Sequence, residues 1–167
     1  TVMANLGFEK VLSKKGIKIY RTNVGDRYVL EKMTETGCVL GGEQSGHIIF
    51  RNISPTGDGI LSALEFLNAI LGNSYDLGEI INLIPKFPQV LKNIKVRDKN
   101  KILGSGSVKE TIKQVETRLI DRGRLLVRPS GTEPLIRVMA EAESQELAED
   151  SVRTVVESIL QVDKFDS

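Results

Sequence analysis

The sequence predicts two folding units of different class. Residues 1–83 read as a partial three-layer α/β unit, and residues 84–167 as an α+β unit with an antiparallel sheet and helices on one face. Three observations predict this. Helical periods and short apolar strands alternate through the first half. Pro85 and Pro88 then interrupt the pattern with a connector. The second half runs β-α-β-β-α, an order that pairs its strands antiparallel and leaves the helices on one side.

Each element of the first unit has a local reason. Asn5 is placed to cap a helix running to about Lys15, with Leu6, Val11 and Leu12 on its apolar side and Gly16 as its stop. Residues 17–21 alternate apolar and polar, the period of a strand. Asp26 is expected to cap a second helix that turns Val29, Leu30 and Met33 inward and ends at Gly37. Residues 38–40 read as a short strand leading into a glycine-rich loop at 41–46, and residues 47–50 as the next strand. Gly57-Asp58-Gly59 opens a strongly apolar helix over 60–71. Residues 72–74 break it, and a short helix over 77–83 closes the unit. The first strand of the unit is expected to lie ahead of Thr1.

The second unit opens with a strand over 89–97, followed by a charged, glycine-containing loop over 98–106. Ser107 is expected to cap a helix to about Ile120, with Glu110 completing a capping box. Gly123 turns the chain into a strand over 124–128, and a second strand covers 135–141. Ser144 caps a final amphipathic helix to about Gln161, with Leu147, Val152, Val155, Val156, Ile159 and Leu160 inward.

Composition narrows the function. A net charge of +1 leaves no strong positive field to hold a polyanion, which argues against nucleic acid as a partner. Cys38 is the only cysteine, so no internal disulfide forms, and a reducing, cytoplasmic setting is the expectation. No apolar run reaches the length of a membrane-crossing helix.

The densest chemistry lies between the last two strands. Arg128 offers a planar fork of donors that matches two phosphate oxygens. Ser130 and Thr132 add hydroxyl donors, Gly131 lets backbone amides approach an anion, and Arg137 brings a second guanidinium. Taken alone, these residues fit either a plain hairpin turn or an anion-binding loop. Upstream, Glu43 and Ser45 stand in a glycine-flanked loop. A carboxylate there can sit in water, or it can accept hydrogen bonds from neighbouring sugar hydroxyls. His47, the only histidine, stands at the head of a strand, where a lone histidine is more often a structural residue than a site residue. Asp26 and Arg27 are accounted for as helix cap and surface cation, with an auxiliary substrate-side role open.

Two separated motifs carry a resemblance. Arg128-Pro129-Ser130-Gly131-Thr132-Glu133-Pro134, followed by Leu135-Ile136-Arg137-Val138, resembles the phosphate-binding loop of the α-D-phosphohexomutase superfamily. Gly41-Gly42-Glu43-Gln44-Ser45-Gly46-His47 resembles its sugar-binding loop. With Val24-Gly25-Asp26-Arg27, the wording is most similar to bacterial members that act on phosphorylated hexosamines. The resemblance runs over essentially the whole chain and implies the C-terminal part of a longer enzyme, with residues 1–83 in its third domain and 84–167 as its last.

It further implies sugar contacts from Glu43, Ser45 and His47, and phosphate contacts from Arg128, Ser130, Gly131, Thr132 and Arg137. Asp26 and Arg27 would be auxiliary. The implied reaction is an isomerisation, interconverting glucosamine 6-phosphate and glucosamine 1-phosphate through a phosphoserine and a bisphosphorylated sugar, toward UDP-N-acetylglucosamine and the cell wall. Mg²⁺ would support it in the full-length enzyme. No serine here lies in the family's phosphoserine motif and no Asp-Gly-Asp metal loop is present, so no catalytic residue and no metal site are expected in this chain. The expected partners are a phosphorylated hexosamine and the remaining domains of the same protein. The alternatives are a family member acting on mannose or glucose phosphates, a non-catalytic phosphosugar-binding module, and a structural interaction domain.

Overall fold

The computed structural model describes residues 1–165; positions 166–167 at the end of the second expected unit lie outside the described residues. The chain divides into two compact units that meet at Pro85 and Lys86.

In the first unit, helix α1 (Leu6–Lys14) begins where the Asn5 side chain accepts a hydrogen bond from the Gly7 amide at 3.0 Å. It ends ahead of Gly16, whose φ of +72° suits glycine. Helix α2 (Asp26–Thr36) buries Val29 and Met33 and stops at Gly37 in the left-handed conformation. Strands β1 (Leu40–Gly42) and β2 (Ile48–Phe50) pair antiparallel, with Gly41 opposite Ile49. A Cβ at Gly41 would lie 2.4 Å from Met33 Sδ and 2.7 Å from a Val29 methyl, so glycine lets the hairpin press onto α2. Helix α3 (Gly59–Asn73) starts on the Asp58 carboxylate, which accepts from the Ile60 and Leu61 amides at 2.9 and 3.0 Å. Helix α4 (Leu77–Asn82) is capped in the same way by Asp76.

Three expectations for this unit change. Residues 17–21 are not a strand: among the described residues no sheet includes them. Alternation gives a segment the shape of a strand, but a ladder needs a neighbouring backbone. Here the Arg21 side chain is tied to Glu9 at 2.7 Å and to the Ala4 carbonyl at 2.8 Å. An apolar cavity of about 500 Å³, lined in part by Phe8, Leu12, Ile19, Val29 and Leu40, opens beside the segment. Asp26 is not the cap of α2: Gly25 occupies that position, and the Asp26 carboxylate accepts from the adjacent Arg27 amide. The first hairpin strand lies two residues later than expected, so Gly41 and Gly42 belong to β1.

In the second unit, strands β3 (Gln89–Lys95), β4 (Gly123–Pro129) and β5 (Leu135–Ala142) form an antiparallel sheet in the order β3-β5-β4. Helices α6 (Gly106–Arg118) and α7 (Gln145–Phe165) cover one face. The core there joins Ile94, Ile136, Val138 and Ala140 from the sheet to Val108, Val115, Val152, Val155 and Ile159 from the helices. This is the α+β arrangement that the element order predicts. Ser144 Oγ accepts from the Leu147 amide at the start of α7.

The stretch 98–106 is not a plain loop. Asp98 caps a six-residue helix, α5 (Lys99–Gly104), which buries Ile102. Six residues show too little periodicity to be read as helical. Ser107 lies inside α6 and Ser105 takes the cap position, so the capping box at Ser107 and Glu110 does not form. Leu160 is partly exposed, one position round from the buried stripe.

Candidate functional site

The glycine-rich hairpin and the start of α2 are joined by one carboxylate. Glu43 Oε1 accepts from the Gly25 amide at 2.9 Å, across eighteen residues of sequence. Gly25 has a φ of +126°, open only to glycine, and has no side chain to satisfy the first turn of α2. The largely buried Glu43 carboxylate therefore ties the residue that opens α2 to the hairpin. Its second oxygen lies 3.9 Å from His47 Nδ1. An ionised carboxylate accepts about four hydrogen bonds, so the Gly25 contact leaves acceptor capacity unused.

The tip itself is a tight turn. The Glu43 amide donates to the His47 carbonyl at 2.9 Å, the Gly46 amide donates to the Glu43 carbonyl at 3.1 Å, and Gly46 has a φ of +97°. Ser45 Oγ lies 3.5 Å from His47 Nδ1, and both side chains are exposed. Glu43, Ser45 and His47 thus stand together. Arg27 lies apart from them electrostatically. It is 79% exposed and pairs with Glu31 at 2.8 Å, one helical turn on, and that carboxylate raises its pKa.

The second unit collects the remaining candidates at the β4–β5 turn. Register places Arg128 directly opposite Arg137, and Arg124 opposite Glu141, on the face of the sheet away from α6 and α7. Two guanidinium groups on opposed residues, with Cβ atoms about 5 Å apart, repel one another unless an anion lies between or above them. Arg137 has only a 3.7 Å contact with Glu133, and its buried Nε has no hydrogen-bond partner among the described residues. The Arg128 guanidinium likewise has none among the described residues.

The turn is ordered from within. Ser130 is 3% exposed, its amide donates to the Leu135 carbonyl at 2.9 Å, and its Oγ accepts from the Glu133 amide at 3.3 Å. The hydroxyl proton of Ser130 is not used in that contact. Gly131 and Thr132 are exposed, and among the described residues their amides have no partner. Gly131 is not in the left-handed region, and a Cβ there would meet nothing within 4 Å. Neither backbone conformation nor packing therefore demands glycine at this position.

Sequence reasoning missed two contributors. Gly25 supplies the amide that Glu43 holds. Lys99, inside the stretch read as a loop, donates from Nζ to the Ser130 carbonyl at 2.5 Å and to the Glu133 carbonyl at 3.3 Å. The readable signal for Lys99 was Asp98, a helix cap directly before it.

Comparison with known proteins gives a consistent picture. Residues 1–87 match the family described as phosphoglucomutase/phosphomannomutase, alpha/beta/alpha domain III, and residues 91–158 match the C-terminal domain of the same description. The chain is 50% identical over 156 residues to a phosphoglucosamine mutase of Carboxydothermus hydrogenoformans, covering 93% of this chain and 35% of that protein. It is also 50% identical over 159 residues to that of Bacillus subtilis, covering 95% and 36%. The chain therefore spans about a third of the length of the curated relatives it matches.

Among solved structures, an N-acetylphosphoglucosamine mutase of Aspergillus fumigatus is similar with a TM-score of 0.75 at 18% identity. It covers 96% of this chain and 38% of that one, in a complex with GlcNAc-6P and magnesium. A phosphoglucomutase/phosphomannomutase family protein of Burkholderia thailandensis is similar with a TM-score of 0.71 at 23% identity, covering 95% and 36%. These likenesses support the fold.

Proposed function

We propose that this chain, which belongs to the phosphoglucomutase/phosphomannomutase family, supplies sugar- and phosphate-binding surfaces of a phosphoglucosamine mutase. In that enzyme glucosamine 6-phosphate and glucosamine 1-phosphate interconvert through a phosphoserine and a bisphosphorylated sugar, on the way to UDP-N-acetylglucosamine and cell-wall precursors. The relatives of this name, half identical to the chain, support the hexosamine over mannose or glucose. The lone cysteine and the absence, among the described residues, of a helix long and apolar enough to cross a membrane support a cytoplasmic setting.

The observation that carries the reading is the set of unused donors at the β4–β5 turn. Arg128 contributes a fork, Gly131 and Thr132 contribute amides, and none has an acceptor among the described residues. A phosphate group supplies the missing acceptors and neutralises the facing Arg128 and Arg137. Charge-assisted hydrogen bonds of this kind are the strong ones. In the first unit, Glu43 and Ser45 are assigned the sugar hydroxyls, with His47 beside them as a further contact. Asp26 and Arg27 remain auxiliary.

Gly131 gives a direct test. Gly131→Ala is expected to leave stability unchanged or to raise it by about 0.4–1 kcal/mol, because the position is unstrained and the unfolded chain loses freedom. The added methyl covers the amide face, so affinity for glucosamine 6-phosphate is expected to fall severalfold by calorimetric titration. Equal affinity in the two proteins would remove this turn from the binding surface.

These surfaces bind and orient; they do not transfer phosphate. Magnesium would support the family reaction; among the described residues no three His, Cys, Asp or Glu side chains gather. No step of this chain's chemistry is assigned to the ion. The 167 residues mixed with glucosamine 6-phosphate and Mg²⁺ are expected to give no steady isomerisation, followed by phosphorus NMR; sustained appearance of glucosamine 1-phosphate would overturn this division of labour.

A further inference from the structure

We infer that Lys99 is a positioning residue for the phosphate-binding turn, an inference that rests on the reading of that turn given above. Lys99 sets the direction of the Gly131 amide without touching the ligand. Its Nζ donates to the Ser130 carbonyl at 2.5 Å and to the Glu133 carbonyl at 3.3 Å. The Ser130 carbonyl and the Gly131 N–H belong to one peptide unit. That unit is planar and trans, so its C=O and N–H point in opposite directions. Holding the oxygen toward α5 therefore turns the Gly131 hydrogen away from α5.

The turn needs this external hold. Its internal hydrogen bonds fix the Ser130 amide and the Glu133 amide, but none among the described residues fixes the Gly131 peptide. Next to glycine, that peptide can rotate between two orientations at little steric cost. In the wrong orientation a carbonyl oxygen would face the anion in place of an N–H. Lys99 blocks this by occupying the oxygen and, with its charge, by compensating the carbonyl dipoles gathered on its side. The Pro134 carbonyl is held on the neighbouring strand end, by the Val96 amide at 3.1 Å. Lys99 is itself placed by the turn of α5 that Asp98 caps through the Asn100 and Lys101 amides, each at 3.0 Å.

The test is a titration of the full 167-residue chain with inorganic phosphate, followed by amide NMR, in wild type, Lys99→Met, Lys99→Gln and Lys99→Arg. Wild type is expected to bind with a large shift of the Gly131 amide. Lys99→Met is expected to bind about tenfold more weakly, and the Gly131 shift at saturation is expected to collapse while the spectrum of the rest of the unit stays native. Lys99→Arg, which can donate to both carbonyls, is expected to restore most of the affinity and the shift. Lys99→Gln carries the same test should Lys99→Met fail to give a native spectrum.

Two results overturn the inference with the reading of the turn intact. One is unchanged affinity in the neutral variants. The other is weaker binding with a full Gly131 shift at saturation, which would make Lys99 only a nearby charge. Failure of wild type to bind phosphate at all, with no response at residues 128–133, would overturn the reading of the turn and this inference with it.

Discussion

Arg128→Ala is expected to weaken binding of glucosamine 6-phosphate and of inorganic phosphate by roughly one to two orders of magnitude, read by calorimetry or amide NMR. The basis is the ~1.5–3 kcal/mol carried by a hydrogen bond to a charged group. Arg128 has no protein partner to lose among the described residues, so the variant gives up little internal structure. It also removes one of two like charges set opposite each other in register, which leaves folding stability equal or slightly higher. Loss of affinity without loss of stability is the signature of a ligand-binding arginine. Arg128→Lys keeps the charge but not the planar fork, so it is expected to recover only part of the affinity. A variant that binds phosphate as wild type does, yet unfolds at a lower denaturant concentration, would show that Arg128 serves the sheet instead.

The largest expected effect on stability is at the other end of the same face. Glu141→Ala should lower the unfolding free energy by about 3–5 kcal/mol, measured by urea denaturation. Glu141 is fully buried and pairs with Arg124 at 2.5 Å. Removing the carboxylate takes a 2.5 Å ionic partner away from a largely buried guanidinium, on a face that already carries Arg128 and Arg137. Arg124→Ala is expected to be costly for the converse reason, since it takes a 2.5 Å cationic partner from a buried carboxylate. The double variant should lose clearly less than the sum of the two, because each single variant already removes their shared ion pair. Additive losses would mean that the pair is not coupled and that the burial of Glu141 is compensated elsewhere. Should both outcomes be observed, they would separate the face into a stabilising pair at Arg124 and Glu141 and a binding pair at Arg128 and Arg137.

Much of this arrangement could be read before any coordinates. Asn5, Asp58 and Ser144 are caps whose effect reaches three residues, and the helices they open stand where the pattern places them. The strands over Leu135–Ala142 and Gly123–Pro129 follow from apolar runs on either side of a turn rich in glycine and proline. Errors arose where two local signals competed or where a partner was needed. Ser105 and Ser107 are two residues apart and only one can be the cap. Residues 17–21 have the period of a strand, but period does not provide a neighbour to pair with. Gly25, not Asp26, holds the cap position of α2, and its amide is met by a carboxylate eighteen residues away.

The sequence by itself determined which residues are the candidates for binding: Glu43, Ser45 and His47 on one turn, and Arg128, Ser130, Gly131, Thr132 and Arg137 on another. Their types and spacing are local, and local spacing survives folding. Only the tertiary structure decided what holds those residues in place. The Glu43 carboxylate on the Gly25 amide, Lys99 on the carbonyls of Ser130 and Glu133, and Arg128 facing Arg137 each join positions that lie between nine and thirty-four residues apart. Such contacts depend on how strands and helices dock, and no short-range pattern records which backbone group a distant side chain will reach.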